Sequence, residues 1–137
     1  MPDTGLKAPP DTEAVKFTVT DGKLDYSPKD PVKIYHKEPG EQHDATKKSR
    51  VGWTAVGLPE GHKIYITAKP DTSFGYMESE CHGPIEMSSQ WVYSKAKRGP
   101  KKASGLFVKW TYNVMLTDAT GKVVDTIDPG VDIGNDP

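Results

Sequence analysis

The chain has 137 residues, of which 34% are hydrophobic, with 13 glycines, 12 prolines and a formal net charge of −1. This length suits one domain with a real core, and the near-neutral balance argues against whole-molecule affinity for nucleic acid or for acidic surfaces. Low hydrophobicity with many turn-formers points to short strands joined by polar loops.

The lone Cys81 cannot close an intramolecular disulfide, so the fold does not need an oxidising compartment. The first residues, MPDTGLKAPPDTEAVKF, show no basic region followed by an apolar run, and no apolar stretch approaches the ~20 residues of a membrane helix. A soluble, cytoplasmic protein without a membrane partner is expected.

In chain order, residues 1–14 lack periodicity and read as a flexible arm. Residues 15–133 read as one β-sandwich domain, and 134–137 as a flexible end. Val15–Val19 alternates as a strand, and Asp21-Gly22 is a hairpin dipeptide leading to Leu24 and Tyr26. Pro28 and Pro31 break that return strand. Val32, Ile34 and His36 mark a third strand, and Glu38–Arg50 a long exposed loop of the kind that often carries function. Val51–Val56 is a strand with Val51, Trp53 and Ala55 on one face; Leu58–Gly61 turns it into Lys63–Thr67. Lys69–Pro84 reads as a loop over one end of the core, with a short strand near Tyr76 and a turn at Cys81-His82-Gly83-Pro84. Ile85 with Met87, then Trp91 with Tyr93, suggest two short strands or one bulged one. Ser94–Ser104 is a basic loop.

The clearest signal is Leu106–Asp128. Leu106, Val108, Trp110, Tyr112, Val114 and Leu116 share one face, a period of two that fits a strand buried on one side and not a helix. Asp118–Gly121 turns the chain, Lys122–Ile127 returns, and Val131 with Ile133 gives a last short edge strand. The result is an all-β, antiparallel β-sandwich of about eight to nine short strands, with Trp53 and Trp110 as its core aromatics.

Three constellations bear on chemistry. Cys81, His82 and Met87, with an upstream imidazole from His36, His43 or His62, supply the donor types of a blue-copper site. Adjacent Cys and His diverge, however, so a small Cys beside a surface His in a turn is the plainer reading, and no cofactor is expected. Lys95, Lys97, Arg98, Lys101 and Lys102 place five cations in eight residues beside Trp91, Tyr93 and Phe107, a combination that attracts phosphates and stacks bases. A solvated loop has the same composition. Asp125, Asp128, Asp132, Asn135 and Asp136 carry the hard oxygens calcium prefers, or they are charges that keep an edge strand from pairing.

Catalytic motifs are missing. There is no G-x-S-x-G, phosphate-cradling glycine loop, H-E-x-x-H or CxxC. Ser88, Ser89, His82 and Glu86 are near only in sequence, and the Glu78/Glu80 spacing alone does not make a glycosidase pair. The residues between Ile34 and Trp110 hold 12 basic against 8 acidic side chains, while after Trp110 only Lys122 opposes five aspartates, so self-association through opposite charges is conceivable.

Tyr112–Asp118, Gly121, Ile127-Asp128-Pro129 and Ile133 resemble the closing hairpin of small uncharacterised bacterial proteins with an immunoglobulin-like or cupredoxin-like sandwich. Val51-Gly52-Trp53 is similar to a cupredoxin phrase. The resemblance implies fold and no catalytic residue. The expected function is non-enzymatic: a β-sandwich module that meets a protein partner, or serves structurally, through its loops. A copper-binding electron carrier and a weak anion or nucleic-acid binder using loop 95–102 are the alternatives.

Overall fold

The computed structural model describes residues 8–37, 46–70, 75–100 and 107–135. Among these there is no helix, and therefore none long and apolar enough to cross a membrane. The strands are β1 (Thr12–Thr20), β2 (Lys23–Ser27), β3 (Val32–His36), β4 (Arg50–Val56), β5 (Lys63–Ala68), β6 (Cys81–Ile85), β7 (Val92–Lys95), β8 (Val108–Thr117), β9 (Val123–Ile127) and β10 (Gly130–Asn135). They form two sheets, ordered β2-β1-β4-β7 and β3-β10-β8-β5-β6, with β9 beside β8.

The expectation of a strictly antiparallel sandwich with eight to nine strands needs correction. Each sheet holds one parallel pairing, β1 with β4 and β3 with β10, and the described residues carry ten strands. Hairpins announce themselves through local turn residues. A parallel pair joins strands remote in sequence through a long crossover, and no dipeptide marks it.

The hairpin turns do follow the local signals. Asp21 and Gly22 have φ of 53° and 75°, the positive values a tight two-residue turn requires. At the β8–β9 turn, the Asp118 carboxylate accepts from the Thr120 and Lys122 amides at 2.9 and 3.0 Å, and Gly121 takes φ 88°. β9 runs along Val114–Thr117 and β10 along Val108–Thr111, so the return strand is split by Asp128-Pro129. β10 is an interior strand and not the expected edge, because β3 closes its far side.

Two other expectations shift. Cys81–Pro84 lies in β6 and not in a turn. Gly83 (φ 106°) and Pro84 are accommodated because β6 is the last strand of its sheet and its pairing with β5 is irregular. Met87 lies outside any strand and is 64% exposed.

Alternation places Val15, Phe17, Val51, Trp53, Ala55, Ile64, Ile66, Trp110, Tyr112, Val114, Leu116, Val131 and Ile133 in one core between the sheets. Trp53, Trp110 and Tyr112 are wholly buried. Their rings meet at centroid distances of 5.0 Å (Trp110–Tyr112), 5.6 Å (Trp53–Tyr112) and 6.3 Å (Trp53–Trp110), and the Trp53 indole N–H donates to the Tyr112 hydroxyl at 3.0 Å.

Polar ties close the sandwich. The Leu24 amide of β2 donates to Asp125 of β9 at 2.8 Å, which holds the Asp125 carboxyl below its ordinary value. Asp11, at φ 58°, accepts from the Ser49 amide at 3.2 Å, from the Ser49 hydroxyl, and from Lys37 at 3.3 Å. Burial raises the Asp11 pKa, and these donors more than offset it, leaving the group lowered. Thus the start of β1 is fastened to the start of β4.

Removing the central indole leaves a cavity that rigid sheets cannot collapse. Trp110→Ala should lower the unfolding free energy in urea by about 3–5 kcal/mol, a large share of a small domain's total stability.

Candidate functional site

β7 is short and lies at the end of its sheet, and alternation decides what it shows. Ser94 and the following Ala96 turn inward and are 4% exposed, whereas Tyr93, Lys95 and Lys97 turn outward and are exposed. Lys95 therefore belongs to a strand and not to the expected loop. Lys101 and Lys102 lie outside the described residues.

The antiparallel pairing of β4 with β7 sets Arg50 opposite Lys95. The Arg50 guanidinium donates to the Pro10 carbonyl at 2.6 Å and lies 4.9 Å from the Tyr93 ring centroid. On the other side of β7, residues 75–80 run back against 95–98. Met77 bridges Ala96, the Glu78 amide donates to the Lys95 carbonyl at 3.0 Å, and the Lys97 amide donates to the Tyr76 carbonyl at 2.7 Å. Arg98 then stacks on Tyr76 at 4.3 Å. The Tyr76 segment was expected to hold a short strand; it holds a single bridge, and residues 71–74 lie outside the described set.

Thus three of the sequence-predicted cations, Lys95, Lys97 and Arg98, gather on one surface with Arg50 and two tyrosines. Glu78 lies opposite Lys95 across the Met77–Ala96 bridge, and Asp11 nearby is taken up by Ser49 and Lys37. Arg50 and Tyr76 belong to stretches the sequence marks as a long loop and a loop with a short strand, and neither is assigned there to the basic cluster. Arg50 opens a recognisable strand, yet its pairing with β7 depends on register across more than forty residues, which no local pattern encodes.

The copper-type residues do not converge. The Cys81 side chain is exposed, while the neighbouring His82 ring turns toward the core, 5.3 Å from Trp53 and 6.3 Å from Trp110. Its Nε2 carries the hydrogen donated to the Ser79 carbonyl at 2.7 Å. His43 lies outside the described residues, and among the described ones no three His, Cys, Asp or Glu side chains form a metal-holding group.

The acidic C-terminal run is spoken for in the same way. Asp125 binds the Leu24 amide, Asp128 pairs with Lys69 at 3.3 Å, and Asp132 sits in register between Lys33 and Lys109. Asp136 and the side chain of Asn135 lie outside the described residues. Of the residues weighed for catalysis, Ser88 accepts from the Leu58 amide at 3.1 Å and Glu80 from the Gly75 amide at 2.9 Å. No family model matches the chain, and neither does any curated protein or solved structure.

Burial lowers the His82 pKa below the ordinary 6.5, outweighing the Ser79 carbonyl and the charges of Glu80 and Glu78, which raise it. The folded state therefore binds this proton less readily than the unfolded chain, so stability falls as pH drops from the unfolded value toward the folded one. Between about pH 7.5 and pH 5 the urea midpoint of the native chain should fall more than that of His82→Phe, which keeps a ring against the tryptophans and loses the proton site. Equal slopes for the two proteins would show that His82 titrates alike in both states.

Proposed function

We propose that the chain is a non-catalytic β-sandwich module that recognises an anionic partner through the outward surface of β7. The observation that carries this reading is the register of β4 on β7, which joins Arg50 to Lys95 and extends a basic run into a two-strand surface. The sandwich supplies the rigidity such a surface needs: Ser94 and Ala96 are anchored in the core directly behind Lys95 and Lys97. The finer fold assignment we favour is cupredoxin-like. Immunoglobulin domains order one sheet A-B-E-D, whereas here the first strand sits between the second and the fourth.

Protein recognition and polyanion binding share this electrostatic requirement, and both exploit the same contrast between a neutral molecule and a cationic face. Exposed cations contribute mainly to encounter and to salt sensitivity. Catalysis does not enter the reading. The chain should be retained on immobilised heparin and elute at moderate salt. Lys95→Glu/Lys97→Glu/Arg98→Glu should flow through while its thermal unfolding stays close to the parent's. Unchanged retention of the triple variant would remove β7 as the contact surface.

A further inference from the structure

The β7 surface carries more than charge. Tyr93 is 47% exposed, and the guanidinium beside it is already fixed. Arg50 donates from its side chain to Pro10 and from its amide to the Asp11 carbonyl at 3.2 Å. A partner therefore need not order that pair, which lowers the entropic cost of binding. Farther along, Arg98 on Tyr76 repeats the cation–ring unit, and the Lys97-to-Tyr76 backbone bond ties it to β7. Between the two units stand Lys95 and Lys97, neither in an ion pair among the described residues. Two residues of extended chain separate them by about 7 Å, a step similar to the phosphate repeat of an extended single strand.

We propose that this surface binds single-stranded nucleic acid, with phosphates on Lys95, Lys97 and the two guanidinium groups and a base stacked on Tyr93. The proposal rests on the anion-binding reading above and adds the class of anion. An acidic peptide would use the four cations but not the exposed part of the Tyr93 ring that Arg50 leaves uncovered. A duplex offers phosphates but keeps its bases stacked inside. An unpaired strand uses both, since every base has a face to stack and a phosphate to neutralise. With three or four phosphates engaged, binding should be weak and log K should fall against log salt with a slope of about −2 to −3.

The test is fluorescence anisotropy of the full chain with a short labelled single strand, its abasic analogue, the corresponding duplex and a poly-glutamate peptide. The expected result is preference for the single strand over the other three, loss of binding in Lys95→Glu/Lys97→Glu, and a roughly five- to hundredfold weakening in Tyr93→Ala. Tyr93→Phe should restore that loss, and neither Tyr93 variant should change affinity for the abasic strand. If the peptide, the duplex or the abasic strand binds as tightly as the single strand, or if Tyr93→Ala binds the single strand like the parent, the nucleic-acid assignment is overturned and the anion-binding reading survives. If none of the four binds, both are overturned.

Discussion

The contact between Trp53 and Trp110, one from each sheet, is the constraint on which the rest of the structure depends. Both indoles are fully buried, and Tyr112 sits against both rings. These are the largest side chains in the core, so the spacing of the sheets is set by what these rings fill. The Trp110 indole N–H has no hydrogen-bond partner, unlike that of Trp53. Its contribution is therefore packing, reduced by the cost of one unpaired donor. His82 extends the cluster toward solvent at β6, which places a titratable ring at the margin of an otherwise apolar core.

That core also fixes what β7 can offer. Trp53 pairs with Val92, and Val51 with Ser94, so the inward positions of β7 are settled by the same β4 residues that fill the interior. Outward, a Cβ at Gly52 would lie 2.7 Å from the Thr12 methyl and 3.2 Å from the Trp91 ring. Only glycine lets Thr12 and Trp91 approach the strand this closely. The Trp91 ring thus lies against the sheet at Gly52, near Tyr93, which carries Arg50 over its ring and is 47% exposed. Gly52 is buried under Thr12 and Trp91, and Thr54 is buried on the same outer side of β4, which would not be guessed from a strand with one polar face.

Much of the architecture was legible because it is local. The alternation of Val108–Thr117, the Asp21-Gly22 turn and the inward set Val51, Trp53 and Ala55 each declare themselves within a few residues. What escaped was long-range. The parallel pairings, the interior position of β10 and the meeting of Arg50 with Lys95 all depend on which strands become neighbours. Glycine and proline misled at Gly83-Pro84, where the edge of a sheet tolerates residues that its middle would refuse. Of the candidate surface, Lys95, Lys97 and Arg98 were visible as a cluster, but which of them face outward was decided by strand parity that the basic run itself conceals.

Charge segregation along the chain becomes a partition between the sheets, and this bears on how a near-neutral protein can hold a cationic face. Asp128 is drawn to Lys69, Asp132 into a row with two lysines, and Asp118 and Asp125 onto backbone amides. The acidic run is thus consumed by sheet contacts in the second sheet and at its margin. The basic run lies at the edge of the first sheet, where Glu78 sits opposite Lys95. Partition by sheet, and not by sequence, gathers Arg50, Lys95, Lys97 and Arg98 at β7 with Glu78 opposite Lys95, although the totals nearly cancel. Screening acts over about 8–10 Å at ordinary ionic strength, so a partner arriving at β7 responds to this local field and hardly at all to the aspartates across the sandwich.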